Sequence, residues 1–279
     1  RVLRTLPLAE MYAVSGKRHP AWSEWLAHPD DESLGMGGVL AKYASEGVET
    51  YVVTATRGER GRFFGNQRRP PAGEIARVRE SELRAACETL GVREWRLLGY
   101  PDGELDRADP AAAAAEIAAH IRRVRPQVVL TFGPDGAYGH PDHIAISQFT
   151  LAGAVSAAGE HRVSKLYFMA WTRSKWDAYQ SALKKLSATV DGVERQVTPW
   201  PDWAVTTVVE TAAWWPTVWR AVSCHQTQMA IYGRLEHLPE EQHRWLWGVQ
   251  EFYRVFSLVN GGRTRERDLF EGLRGRDGK

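Results

Sequence analysis

Between Leu34 and Ala158 the chain alternates between a helical and a strand-like hydrophobic pattern, and this restricts its fold more than any other feature. "SLGMGGVLAKYASEG" places Leu34, Val39, Leu40 and Tyr43 near helical spacing and ends at Gly47, a helix stop. "VETYVVTAT" (Val48–Thr56) is the β-branched run of a buried strand. "EIARVRESELRAACETLG" is an amphipathic helix closed by Gly91, and "EWRLLG" is a short strand. "PAAAAAEIAAHIRRVRP" opens with Asp109 as N-cap and Pro110 at the first helical position, and Pro126 closes it. The strand "QVVLTF" and the helix "IAISQFTLAGAVSAAG" follow. A β-α-β-α-β order predicts an α/β, Rossmann-like three-layer sandwich with a mostly parallel central sheet and helices on both faces.

The length, 279 residues, fits one large α/β domain or two small ones. No Ser/Gly-rich linker, repeat or low-complexity tract interrupts it beyond the alanine run at 111–115, so residues 1–279 read as a single domain. Past Ser164 the pattern gives an additional helix and strand region, 164–260, expected to contribute to a substrate pocket or an interface. Its strands are "KLYFMAWT", "AVTTVVE" and "EFYRVFSLV"; its helical stretches are "AAWWPTVWRAVSCHQTQ" and "PEEQHRWLW". Residues 261–279 read as a loosely held tail. At the other end, 1–25 is atypical. A strand is expected before His28, but "RHPAWSEWL" is broken by Ser23 and Glu24 and reads as an edge strand or an irregular lead-in.

A net charge of +2 gives no reason to expect nucleic acid or an anionic membrane as partner. No apolar run reaches the roughly 20 residues of a membrane span, and the first residues lack a signal-peptide core. Cys87 and Cys224 form neither a CxxC nor a disulfide framework, which makes the cytoplasm the default location. The aromatic-rich C-terminal third is compatible with a homo-oligomer interface.

Two loops carry chemistry, and in a parallel sheet both fall at the carboxyl ends of strands, where sites form. One contains His28, Asp30 and Asp31; the other, "GPDGAYGHPDH", contains His140, Asp142 and His143. Alone, Asp30 or Asp31 is more often a helix N-cap than a ligand, and His140 or His143 more often a surface residue. Together, His28, Asp31 and His143 supply two imidazoles and a carboxylate, a set that zinc takes in catalytic sites with a position left for water. Neighbouring residues in a turn project differently, so Asp31 can ligate while Asp30 faces that water. The same donor set also describes the facial triad of ferrous oxygenases, but a spare acid and a spare histidine suit hydrolysis better.

These motifs, "AHPDDESLGMGGVLAKYASEGVETYVVTATRGERGR" and "GAYGHPDHIAIS", resemble the PIG-L (LmbE-like) family of zinc-dependent N-deacetylases. The resemblance runs from Ala27 to Ala158 and includes "RESELRAACETLGV", "LLGYPDGEL" and "VRPQVVLTFGPDG"; "CHQTQ" is similar to the family's C-terminal His-x-x-Gln helix. It implies one Zn2+ per chain, with ferrous iron as the alternative ion, held by His28, Asp31 and His143. It also implies Asp30 as general base and His140 as the group that stabilises the oxyanion or protonates the leaving amine. Asp142 is expected to orient a histidine, most readily His140, and Tyr138 to assist. The implied substrate is a small N-acetylglucosamine-type conjugate, deacetylated to a free amine and acetate; the alternative is an amide of a thiol (mycothiol- or bacillithiol-type) conjugate. Arg57, Arg60 and Arg62 could reach sugar hydroxyls or form a solvated loop. Asp102 could hold a hydroxyl or serve a Pro-Asp-Gly turn, and His225 could line the pocket or be a structural helix residue. Most of the tryptophans are expected in the core or at an interface.

Overall fold

The computed structural model describes residues 20–65, 69–183, 187–190, 192–262 and 264–273. Strand β1 (Ala21–Leu26) leads into α1 (Asp31–Ser45), β2 (Glu49–Thr56), α2 (Ala72–Leu90), β3 (Glu94–Tyr100), α3 (Pro110–Val124), β4 (Val128–Thr131), α4 (Pro141–Ala157) and β5 (Lys165–Met169). From α1 onward this is the predicted order. Asp109 caps α3 as expected, accepting hydrogen bonds from the Ala111 and Ala112 N–H groups at 2.8 and 3.0 Å. Beyond β5 lie α5 (Arg173–Leu183), a hairpin of β6 (Ser187–Val190) and β7 (Val193–Gln196), then β8 (Thr207–Glu210), α6 (Trp215–Cys224), α7 (Glu240–Trp247) and β9 (Val249–Ser257). Helix α5 and the hairpin have no counterpart in the sequence reading.

A seven-stranded sheet of order β3-β2-β1-β4-β5-β9-β8 forms the centre. The strands β3, β2, β1, β4 and β5 pair in parallel, and β9 and β8 add antiparallel pairs at one side. Alternation along β1 sends Trp22 to one face, edge-on to Tyr43 of α1, and Trp25 to the other, edge-on to His120 of α3. Helices α1, α2 and α6 pack together, as do α3 and α4. The glycines of "SLGMGG" serve this packing: a Cβ on Gly37 would stand 3.2 Å from Val218 of α6, and one on Gly38 2.8 Å from Thr211.

Two expectations are corrected. First, "AWSEWL" is neither an edge strand nor irregular. It is an interior strand, paired with β2 from Ala21↔Glu49 to Leu26↔Thr54 and with β4 from Trp22↔Val128 to Trp25↔Thr131. All six of its residues are buried, and backbone pairing on both sides outweighs the polar interruption. Residues 1–19 of the atypical segment lie outside the described residues. Second, residues 264–273 of the tail are docked on the fold; 263 and 274–279 lie outside the described residues. The Glu266 carboxylate receives Lys165 Nζ at 2.5 Å and Tyr167 Oη and Thr207 Oγ1 at 2.7 Å each, while Leu269 and Phe270 are buried.

Glu24 is the anomaly of β1. Both carboxylate oxygens are buried without a hydrogen-bond partner among the described residues. Burial, and then the nearby Glu32 and Asp31 carboxylates, push its pKa well above the usual range. Folding therefore takes up a proton here. The stability involved is fully present below the unfolded pKa of about 4.3 and is lost as pH rises through the folded value. Glu24→Val is expected to raise the unfolding temperature, by the equivalent of about 1–3 kcal/mol, since it removes an unsatisfied buried polar group. The margin should widen between about pH 5 and pH 8. Thermal denaturation of both proteins across that range checks this; an unchanged or lower midpoint would contradict it.

Candidate metal centre

The site forms where β1 and β4, adjacent and parallel, both end. The turn after β1 carries His28 and delivers Asp31 as the first residue of α1. One Asp31 oxygen, Oδ2, accepts the Ala27 and His28 N–H groups at 3.2 and 2.8 Å, which fixes the turn. After β4, Phe132 stacks on the ring of His143 at 3.9 Å between centroids. His140 and Pro141 start α4, so His143 projects back from the first helical turn.

Three donor groups converge. His28 Nδ1 lies 3.2 Å from His143 Nε2 and 3.7 Å from Asp31 Oδ2, and His143 Nε2 lies 3.6 Å from Asp31 Oδ1. Tetrahedral zinc with bonds of about 2.0–2.1 Å separates its ligands by about 3.4 Å, so these groups already stand at ligand spacing. The far nitrogen of His28, Nε2, is 3.1 Å from Asp142 Oδ2 and 3.2 Å from Asp102 Oδ1. Metal-bound histidines commonly have such carboxylate backing, which leaves Nδ1 with its lone pair inward. Burial disfavours an imidazolium at His28, but hydrogen bonds to Asp102, Asp142 and Asp31 outweigh it and lift the pKa well above the usual histidine value. At His143 burial dominates, against the Asp31 charge, and lowers the pKa to about 3. Two imidazole nitrogens facing each other beside the Asp31 carboxylate form a donor set that could hold a divalent metal. His140 also enters this cluster, with ligand atoms within 4.8 Å of those of His28 and His143.

Asp30 stands beside the donors. Its carboxylate accepts the Tyr232 hydroxyl at 3.0 Å and lies 3.2 Å from Arg79. Burial and the Asp31 charge raise its pKa, Arg79 opposes them, and the result is about 6. Its φ of 112° lies in a region that costs a non-glycine residue about 1–3 kcal/mol. His140 Nδ1 accepts the Asp142 N–H at 3.2 Å, so a neutral ring carries its proton on Nε2. Burial lowers the His140 pKa, which favours that neutral form. The ring of Tyr138 lies 5.8 Å from that of His140 and 5.4 Å from that of His143.

Several sequence expectations change. The Asp142 carboxylate meets His28 rather than His140, and also accepts the Gly103 and Leu105 N–H groups at 2.7 and 3.0 Å; only its backbone orients His140. Asp102 is buried against His28 and accepts the Arg60 N–H at 2.7 Å. The guanidiniums of Arg57 and Arg60 pair with Glu80 and Glu104 at the surface. His225 is 0% exposed and lies 2.7 Å from Glu32 of α1.

Arg79 and Tyr232 were missed. Arg79 donates to the carbonyls of Pro29 and Gly58, and a Cβ on Gly58 or Gly61 would overlap its guanidinium. The glycines of "TRGERGR" thus make room for an arginine on the next helix. The signal was its spacing: Arg79 falls four residues from both Ile75 and Leu83, on the apolar stripe. Tyr232 had no comparable signal.

Comparison with known proteins agrees with this architecture. Residues 25–154 match the family PIG-L, GlcNAc-PI de-N-acetylase. A protein of Kineococcus radiotolerans named 1D-myo-inositol 2-acetamido-2-deoxy-alpha-D-glucopyranoside deacetylase is 34% identical, over 88% of this chain and 81% of its own. The N,N'-diacetylchitobiose deacetylase of Pyrococcus horikoshii shares the fold (TM-score 0.63, 17% identity, 89% of this chain and 86% of that one). So does the 4-carboxy-2-hydroxymuconate hydratase of Pseudomonas putida KT2440 (TM-score 0.63, 19% identity, 87% and 99%). The chain belongs to the PIG-L family of N-deacetylases.

Proposed function

We propose that this chain is a zinc-dependent amide hydrolase that removes the N-acetyl group from an N-acetylglucosamine-type conjugate. The observation that carries the reading is the convergence of His28, Asp31 and His143 at 3.2–3.7 Å with Asp30 beside them. The fold alone would not suffice, since it also carries a hydratase. The relatives' named substrate makes an inositol glycoside of N-acetylglucosamine the first conjugate to test.

In this reading His28, Asp31 and His143 hold the ion, and zinc when bound lowers the pKa of water towards about 7 and polarises a carbonyl. Asp30 accepts a proton from the attacking water. Its pKa of about 6 suits a group that must take that proton and later return it to the leaving amine. His140 donates its Nε2–H to the oxyanion that develops on the acetyl group. A donor of this kind is worth about 3 kcal/mol of barrier. The Tyr138 ring packs edge-on beside those of His140 and His143. Asp102 and Asp142 act through His28 and hold its ring with Nδ1 inward.

Asp30→Ala is expected to retain metal at the parent's stoichiometry and lose about 10²–10⁴ in kcat. Elemental analysis and an acetate-release assay check both halves, and undiminished hydrolysis would remove Asp30 from the mechanism. His143→Ala should lose the ion, as read by the same elemental analysis; full occupancy would exclude it from the ligand set. Assay of a panel of N-acetylglucosaminides and thiol-conjugate amides, with zinc or ferrous iron, tests the substrate class. Cleavage of the thiol-conjugate amides alone would replace the deacetylase reading with the amidase one.

A further inference from the structure

The main chain of Asp30, at φ 112°, is in a conformation that an aspartate does not hold unaided. Its N–H donates to Glu32 Oε2 at 2.9 Å, closing the turn from within. Glu32 is itself 0% exposed. Its other oxygen accepts the Ser33 hydroxyl at 2.5 Å and lies 2.7 Å from His225 Nε2. His225 arrives from the end of α6, 193 residues later in the chain. It cannot withdraw, because the residues after it are bolted down. The Thr227 N–H and hydroxyl both donate to Glu82 at 2.7 Å, and Gln228 Nε2 donates to the Arg62 carbonyl at 2.8 Å.

We infer that Glu32 and His225 are positioning residues that aim the Asp30 carboxylate by holding its main chain. His225 supplies the donor that a buried Glu32 requires, and Glu32 supplies the acceptor that fixes the strained turn. The "CHQTQ" segment is thereby the far anchor of the base rather than part of the substrate pocket. The inference rests on the reading of Asp30 as the base. A pair that merely joined α6 to α1 would affect stability alone; a pair that aims Asp30 must lose its effect on rate once the Asp30 carboxylate is gone.

The test is a double-mutant cycle on the metal-loaded enzyme, with metal content and unfolding temperature measured for every variant. Glu32→Ala is expected to lower kcat at least about ten-fold with KM within about two-fold, because the lost aim acts on the chemical step. Glu32→Gln should recover most of that loss, since its amide oxygen still accepts the Asp30 N–H. In an Asp30→Ala background, Glu32→Ala should change the residual kcat by less than about two-fold. His225→Leu should reproduce the kcat loss of Glu32→Ala. Equal fold-losses in both backgrounds, a loss confined to KM or metal content, or variants unfolded at the assay temperature would each overturn the inference. Full activity of Asp30→Ala itself would instead overturn the base assignment on which it rests.

Discussion

Parallel pairing of β1 with both β2 and β4 is the constraint on which the rest depends. Chain direction is shared across these strands, so the loops that leave β1 and β4 emerge at one edge, side by side. The strand order reverses there: β2 and β3 continue to one side, β4 and β5 to the other. This is where an open α/β sheet leaves a crevice. Side-chain direction alternates along a strand, so a one-residue slip of β1 would turn Trp22 and Trp25 to the wrong faces and displace the turn carrying His28. The two tryptophans, packed on Tyr43 and His120, lock the register that the site needs.

Around that crevice the protein buries Asp30, Glu32, Asp102 and Asp142, half-buries Asp31, and gives each specific partners. Asp31 takes two backbone N–H groups, Asp142 two more, and Asp102 the N–H of Arg60. Asp30 has Arg79 and Tyr232, and Glu32 has His225. Charge-assisted hydrogen bonds offset the cost of removing these groups from water. Different partners leave different basicities. Asp31, surrounded by histidines and backbone donors, is held well below the usual carboxylate range despite its burial, whereas burial raises neighbouring Asp30 to about 6. Two adjacent aspartates thus differ in proton affinity, which is the division that the proposed roles of ligand and proton acceptor need.

The parallel half of the fold was legible because β2 and β4 are rich in β-branched residues and its helices carry punctuation such as Asp109, Pro110 and Gly91. The turns bearing His28 and His143 were legible because imidazoles and carboxylates cluster there in sequence. Strand β1 was not, since a strand with neighbours on both sides tolerates Ser23 and Glu24 that hydrophobic patterning counts against it. Partners distant in sequence were hidden for a similar reason. Nothing local to Tyr232 or His225 announces Asp30 or Glu32, and Asp142 was paired with the nearer histidine although the fold brings it the farther one. Arg79 was the readable omission: a charged residue on an apolar stripe signals a buried partner.

The Glu266 node bears on how the chain assembles. Lys165 is fully buried on β5, yet the carboxylate that receives it belongs to a residue 101 positions later, and Tyr167 waits for the same group. During synthesis, β1 to β5 leave the ribosome with this lysine still lacking its partner, and an unpaired ammonium resists burial. The antiparallel side of the sheet is therefore tied to the parallel part by contacts of long sequence separation. The residues after β9 thus do more than trail from the fold: they supply the counter-charge that lets its last parallel strand leave water.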